Sequence, residues 1–409
     1  MSARRRAVVV AAFAACRLVW AASAAAQAGE APPRAGPSRV LFGVEVAATL
    51  GPRDHIAFFN YTDYEHNALR LARLRLLGEW RPVARVSFVA EVRSEDGDGV
   101  GAAAAYARIR PWARAALDVQ VGRIPPVIGT FPRRAYGREN PVLGTPLAYQ
   151  YLTSLRPDAQ PATIDDVLRM RARGWRPNFP IGTSAAGAGL PLVSTSKWGS
   201  GVEARWQAGW LDAAGAWTLG SPGAPVAVDL TAGRQWSGRM GVTLPSGIVA
   251  GVSGARGRWI DRDVLVLMPA DRQEHSVQSV VGADVEAGGG PWLVRAEWLR
   301  SAFDLPLAAE AAGPARLTAT SGNLEARRRL HARWQVAVRL DRLRFSDVIG
   351  TLEGGLPTPW DAPVDRVEGA IAFRATRRLD LRAGWQQNWR DRGRVLRRGF
   401  PAVQALFWF

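Results

Sequence analysis

The chain has few of the residues that usually staple or anchor a fold. Cys16 is the only cysteine and Lys197 the only lysine among 409 residues. A single thiol excludes an internal disulfide and leaves no Cys/His metal spacing, so stability must come from burial and hydrogen bonding. Histidine is also scarce, with only His55, His66, His275 and His331. No run of 18 apolar residues follows the N-terminal region, so no transmembrane helix is written there. That says nothing against a β-barrel, whose strands cross lipid in segments of about ten alternating residues. No Walker loop or dinucleotide fingerprint is present, and DGDGVG at 96–101 lacks the later ligands of a calcium loop and reads as a turn.

The N terminus has the order of a secretory signal. Arg4, Arg5 and Arg6 precede a short apolar run, and Ala24, Ala25 and Ala26 precede an expected cleavage. Residues 1–26 are therefore expected to be a signal peptide. The Pro-rich, periodless 27–38 is expected to be a periplasmic leader, and 39–409 the working domain. The net charge is +17, and the chain stays strongly basic without the signal's arginines. In an exported protein such charge points to lipid surfaces and anionic solutes rather than nucleic acid.

From Val40 onward apolar residues occupy alternate positions. Val40, Phe42, Val44, Val46, Ala48 and Leu50 form the first set, and Ala84, Val86, Phe88, Ala90 and Val92 the second. The rhythm recurs at Val202–Trp210, Trp292–Trp298, Trp334–Leu340 and Leu379–Trp385, with arginines and carboxylates between. A period of two is a strand with one apolar face, and a soluble sandwich would alternate equally well.

The links separate these readings. Tight turns are expected at Arg81–Pro82, Pro111–Arg114, Leu211–Asp212, Leu244–Gly247, Gly288–Gly290, Arg328–Leu330 and Arg377–Arg378. Long links are expected at 51–66, 95–101, 124–200, 221–231, 260–275, 304–314, 346–364 and 391–398. Long and short alternate strictly, which requires sixteen antiparallel strands with both chain ends on the short-turn side. A strand of roughly 11 residues, rising about 3.3 Å per residue at about 45° tilt, covers about 25 Å, the height of a barrel's apolar band. Strand two is irregular: Leu69 and Leu71 are out of phase with Leu74 and Leu76, which implies a bulge or a misplaced boundary. Trp80, Trp112, Trp210, Trp292 and Trp389 fall near strand ends, where an aromatic girdle would sit.

The chain ends PAVQALFWF, with Val403, Ala405, Phe407 and Phe409 on one face. An ordered end is expected if this strand pairs with the first, since an open edge in lipid leaves backbone groups unsatisfied. In its signal, its sixteen-strand rhythm and its Phe409 terminus, the sequence resembles the outer-membrane porins. The resemblance implies a bacterial outer-membrane location amid lipid and lipopolysaccharide, and recognition of Phe409 by the barrel-assembly machinery. It also allows a homotrimer, and implies that the link after strand five, 124–200, folds into the lumen as a constriction. Two further strands within that link, giving eighteen, remain the alternative.

The 124–200 link carries nine basic residues against four acidic ones. Arg133, Arg134, Arg138, Asp165, Asp166, Arg169, Arg171 and Arg173 are the candidate constriction residues, because rings of arginine favour anions. A solvated charged loop is the bland alternative. Arg85, Arg205, Arg295, Glu297 and Arg339 are candidate pore-wall residues. The wall as a whole is nearly neutral, and the likeness to phosphate-selective porins stops short of a lysine cluster. The expected function is a passive diffusion channel for small polar solutes, with anions preferred and no cofactor. The rivals are a plugged structural or adhesive barrel and a rim hydrolase or lipase. For the hydrolase, His275 beside Ser276, with Asp271 and Glu274, is the nearest candidate; adjacent strand residues point to opposite faces, which works against a Ser/His pair.

Overall fold

The computed structural model describes residues 40–62, 66–112, 116–134, 137–195, 198–231, 233–309, 313–391 and 396–409. The expected signal and leader lie outside them. Sixteen strands pair antiparallel in chain order and close into a barrel. The first eight are β1 Val40–Leu50, β2 Ala72–Val83, β3 Val86–Glu95, β4 Gly101–Ile109, β5 Leu117–Ile124, β6 Gly199–Ala208, β7 Leu211–Leu219 and β8 Arg234–Thr243. The rest are β9 Ile248–Arg258, β10 Val277–Gly289, β11 Trp292–Leu305, β12 Ala315–Arg329, β13 Trp334–Phe345, β14 Val364–Thr376, β15 Leu379–Arg390 and β16 Leu396–Trp408. Among its described residues the long link adds no strand to the wall; the sheet it forms is a hairpin of Ala159–Gln160 with Ile181–Gly182.

Closure is made where the sequence places it. Glu45–Leu50 of β1 lie opposite Trp408–Val403 of β16. Val44 and Phe409 exchange both backbone hydrogen bonds, at 3.2 and 2.9 Å.

The alternation sorts residues as a lipid-facing barrel requires. Phe42, Phe88, Val202, Trp298, Val338, Leu340, Leu381 and Val403 are exposed on the outer face, while their neighbours Glu45, Glu91, Glu203, Glu297, Arg339, Asp341 and Asp380 are buried on the inner one. Inverting a soluble protein in this way makes sense only where the outside is hydrocarbon. Trp80, Trp112, Trp210, Trp292 and Trp334 ring the short-turn end, all exposed. Trp217 and Trp236 meet near the long-loop end with centroids 6.1 Å apart and planes tilted by 43°, and Trp389 lies beneath Arg397.

Three boundaries differ from expectation. β2 begins at Ala72: Leu69 is buried in the loop core, while Leu71, also buried, still exchanges backbone hydrogen bonds with Thr49 at 2.9 and 3.1 Å, and the strand runs past Pro82 through a register shift between Trp80 and Val83. The next displaced turn sits at 209–210 rather than Leu211–Asp212, since Gly209 takes the left-handed φ of 56° that the turn needs. Strand β12 runs on through Arg328 and Arg329, which were expected in a turn.

The inner face changes character along its height. Its short-turn half is polar, whereas its long-loop half on β11–β13 is apolar, with Phe303, Leu305, Leu317, Leu343 and Phe345 buried; Val364 and Phe400 extend it, while β14 and β15 also bury Arg366, Asn388 and Arg390 there. Onto these pack loop residues including Trp259, Ile260, Trp360, Tyr151, Leu155, Leu190 and Val264 in one continuous core. Trp360 is edge-on to Phe345 at 4.8 Å, and Trp259 is edge-on to Phe303 at 5.5 Å. Each indole N–H donates to a strand carbonyl, Trp259 to Asp304 at 3.2 Å and Trp360 to Thr318 at 2.8 Å. A soluble-type core thus fills the outer lumen.

Candidate functional site

The segment 125–198 leaves β5 at Pro125 and Pro126, which cannot donate to a ladder, and turns inward. Its backbone is held by charged side chains of the inner wall. Glu297 of β11 accepts from the Thr130 N–H and the Tyr149 hydroxyl, each at 2.7 Å. Glu368 of β14 accepts from the N–H groups of Leu143 at 3.0 Å and Gly144 at 2.6 Å. In the other direction, Arg339 of β13 donates to the Gly144 carbonyl at 2.6 Å, and Arg382 of β15 donates to the Gly137 and Asn140 carbonyls at 2.9 Å. Charge-assisted bonds of this kind are roughly twice as strong as neutral ones. Burial first, and then the Glu297 carboxylate, push the Tyr149 phenol well above its ordinary range, so it stays a donor.

Two glycines make this approach possible. A Cβ on Gly144 would stand 2.7 Å from the Gln386 amide and 2.8 Å from the Glu368 carboxylate. One on Gly129, whose φ is +70°, would stand 2.1 Å from the Tyr149 hydroxyl.

The candidate constriction residues divide into two groups. Arg134 is inside and buried, pairing with Glu325 of β12 at 2.9 Å and lying over Phe131. Arg138 lies over the Trp408 ring at 4.7 Å. Arg133 belongs to the 3-10 turn Phe131–Arg134, but its side chain lies outside the described residues. The remaining five are among the outer loops, away from the wall. Asp166 caps the helix Ile164–Arg169 through Thr163 and pairs with Arg169 at 2.7 Å. Hydrogen bonds from Thr351 and the Leu352 N–H hold Asp165 below the usual carboxylate range, and Arg171 pairs with Asp391 at 2.5 Å. Arg173 is exposed beside them. Their charges knit loop to loop, which local composition could not distinguish from pore lining.

The wall candidates also divide. Arg339 is fully buried among Glu325, Asp341 and Glu368, and Glu297 lies beneath the loop, so both act as anchors. Arg295 pairs with Glu286 at 2.6 Å near the loop's edge, and Arg205 pairs with Glu203. Arg85 is not on a strand: it occupies the turn 84–85 at the short-turn mouth. His275 and Ser276 do not meet. The Ser276 hydroxyl donates to the Gln273 carbonyl, and His275 faces Glu274 at 3.9 Å. No group of His, Cys, Asp and Glu fit to hold a metal occurs among the described residues.

Because the loop is seated on β11–β15, space remains along the opposite wall. A cavity of about 310 Å³ lies between Pro125, Pro132 and Trp198 of the loop and Arg75, Tyr106, Arg108, Gln120 and Arg205 of the wall, with Asp118 its one carboxylate. A second, of about 770 Å³, shares Asp118 and Arg205 and opens at the short-turn mouth past Arg85, Arg110, Arg239 and Asp212. Arginine exceeds carboxylate in both. Sequence reasoning missed Arg75, Arg108 and Trp198, because which wall stays open depends on which wall holds the loop.

No protein-family model and no curated protein matches the chain. Solved structures do match in fold. OmpT, an outer membrane protein of Vibrio cholerae, superposes with a TM-score of 0.52 at 8% identity, over 90% of this chain and 97% of that one. The anion-selective porin from Comamonas acidovorans gives 0.51 at 10%, over 90% and 99%. The outer membrane channel DcaP of Acinetobacter baumannii gives 0.53 at 9%, over 90% and 97%. The chain has the fold of the outer-membrane porins, and its apolar outer face fits an outer membrane.

Proposed function

We propose that the protein is a passive diffusion channel for small polar solutes with a preference for anions. The observation that carries this reading is the open side of the lumen, where Arg75, Arg85, Arg108, Arg110, Arg205 and Arg239 face Asp118 and Asp212. Cationic linings favour anions by lowering their electrostatic barrier. The loop sets the radius and the arginines set the sign of the field; no catalytic step is part of the proposal. The location is the bacterial outer membrane, with Phe409 as the assembly signal. A homotrimer belongs to the same reading, since the Vibrio protein is described in a trimer form.

Reversal potentials in planar bilayers under a salt gradient test this. The wild type should prefer chloride over potassium, and Arg108→Gln with Arg205→Gln should reduce that preference severalfold. Cation preference, or no change in the double variant, rejects it. The apolar core of the outer lumen favours a second reading, a plugged structural barrel, for which the purified protein would show no conductance.

A further inference from the structure

The two sides of the short-turn mouth differ in how their arginines are neutralised. On the side of the open path, Arg110 pairs with Asp118 at 2.7 Å, Arg239 pairs with Asp212 at 3.1 Å and with Asp284 at 2.6 Å, and Arg205 pairs with Glu203. Across the mouth, a separate cavity of about 510 Å³ lies between the ends of β10–β15, lined by Arg327, Arg329, His331, Arg333, Arg374 and Asp380. Among the described residues, Arg327, Arg329 and Arg333 make no ion pair with a carboxylate. The single acid, Asp380, is 3.5 Å from Arg374 and also 3.7 Å from Arg382, so its charge is already divided.

The placement is set by the fold. Arg327 and Arg329 are two apart on β12 and point to the same inner face, opposite Ala337 and Gln335 of β13. Arg374 is tied to the turn by its backbone N–H, which donates to the Arg333 carbonyl at 2.8 Å. Strand pairing therefore gathers four guanidinium groups in one cavity whose lining holds one carboxylate, with Glu139 and Glu325 near enough to Arg327 to offset part of its charge from outside the lining. Guanidinium forks match phosphoryl and carboxylate oxygens in bidentate geometry, and like charges so gathered are relieved by an anion carrying several charges.

We infer that this cavity is a binding site for a compact polyvalent anion, separate from the diffusion path. Calorimetric titration of the detergent-solubilised full chain with inorganic pyrophosphate, citrate and acetate tests it. Pyrophosphate or citrate should bind saturably and at least tenfold more tightly than acetate, and whichever binds more tightly identifies the phosphoryl or the carboxylate source. Arg329→Gln with Arg374→Gln should weaken that binding at least tenfold. Arg81→Gln, an exposed arginine of the same barrel end that pairs with Glu79, should leave it unchanged. Polyvalent anions bound no better than acetate, or an equal loss in Arg81→Gln, overturn the proposal. Calorimetry does not require conduction, so the site stands or falls apart from the channel reading.

Discussion

Removing Arg339 should be among the costliest single changes in this chain. Its guanidinium is 3.0 Å from Glu368, 3.4 Å from Glu325 and 3.4 Å from Asp341, with no exposed surface. Arg339→Gln would remove the one cation shared by three buried carboxylates, leaving Asp341 without its nearest partner, at a cost of about 3–5 kcal/mol. The unfolding midpoint in micelles should fall accordingly, while the exposed Arg81→Gln should move it by less than about 0.5 kcal/mol. Gly144→Ala acts on the same contact from the loop side. Its methyl group would lift the backbone from Glu368, so protease should cut within 125–198 faster than in the wild type while the barrel stays closed. The two loop aspartates respond oppositely to pH. Burial raises the Asp361 carboxyl despite N–H donors from Ser154, Ala172 and Ala362, so its favourable contribution is present at acid pH and fades as pH rises through the raised value. Asp165 is held low, so its contribution is present above the ordinary aspartate range and is lost as pH falls through its lowered value. On strong acidification, protection from hydrogen exchange, taken relative to the intrinsic rate at each pH, should therefore be lost at Leu352 before Ser154 or Ala172; the reverse order contradicts this assignment.

At the scale of the element, strands were legible because each one repeats a single instruction, apolar outward and polar inward. Val86–Val92 and Trp334–Leu340 required no tertiary knowledge. Leu69 broke the rhythm for a physical reason: it belongs to the core that the loops form against the inner wall. The apolar inner residues Phe303, Leu305, Leu317 and Leu343 carried the same signal, since they occupy positions where alternation calls for polar side chains, and their partner is the inward loop. The loop's charges were less legible, because Asp166 pairs with Arg169 and Arg171 with Asp391 of another loop, whereas the contacts that seat the loop on the wall go to backbone groups that no composition reveals. The strand reading makes a quantitative prediction. Leu324→Arg, outward on β12, should destabilise insertion into lipid vesicles by about 2–4 kcal/mol, and more at mid-membrane than near the girdles. The inward Ser321→Arg should leave membrane insertion itself far less affected, because its side chain never meets lipid.

The whole molecule is a closed ring whose seam lies between its two ends. Val44 and Phe409 close it with reciprocal backbone hydrogen bonds, so removing 407–409 should slow folding into vesicles and weaken the slower gel migration of boiled samples relative to unheated ones. If the truncated chain folded at the wild-type rate, the seam would not govern closure. The filled outer lumen also bears on biogenesis. Its greasy lining is contributed by the C-terminal staves and by loops drawn from as far back as Ala57 and Phe59, so no short fragment can assemble it alone. The cap must condense after the hoop is complete, and until then the cell has to shield two sets of sticky side chains, one destined for lipid and the other for the interior.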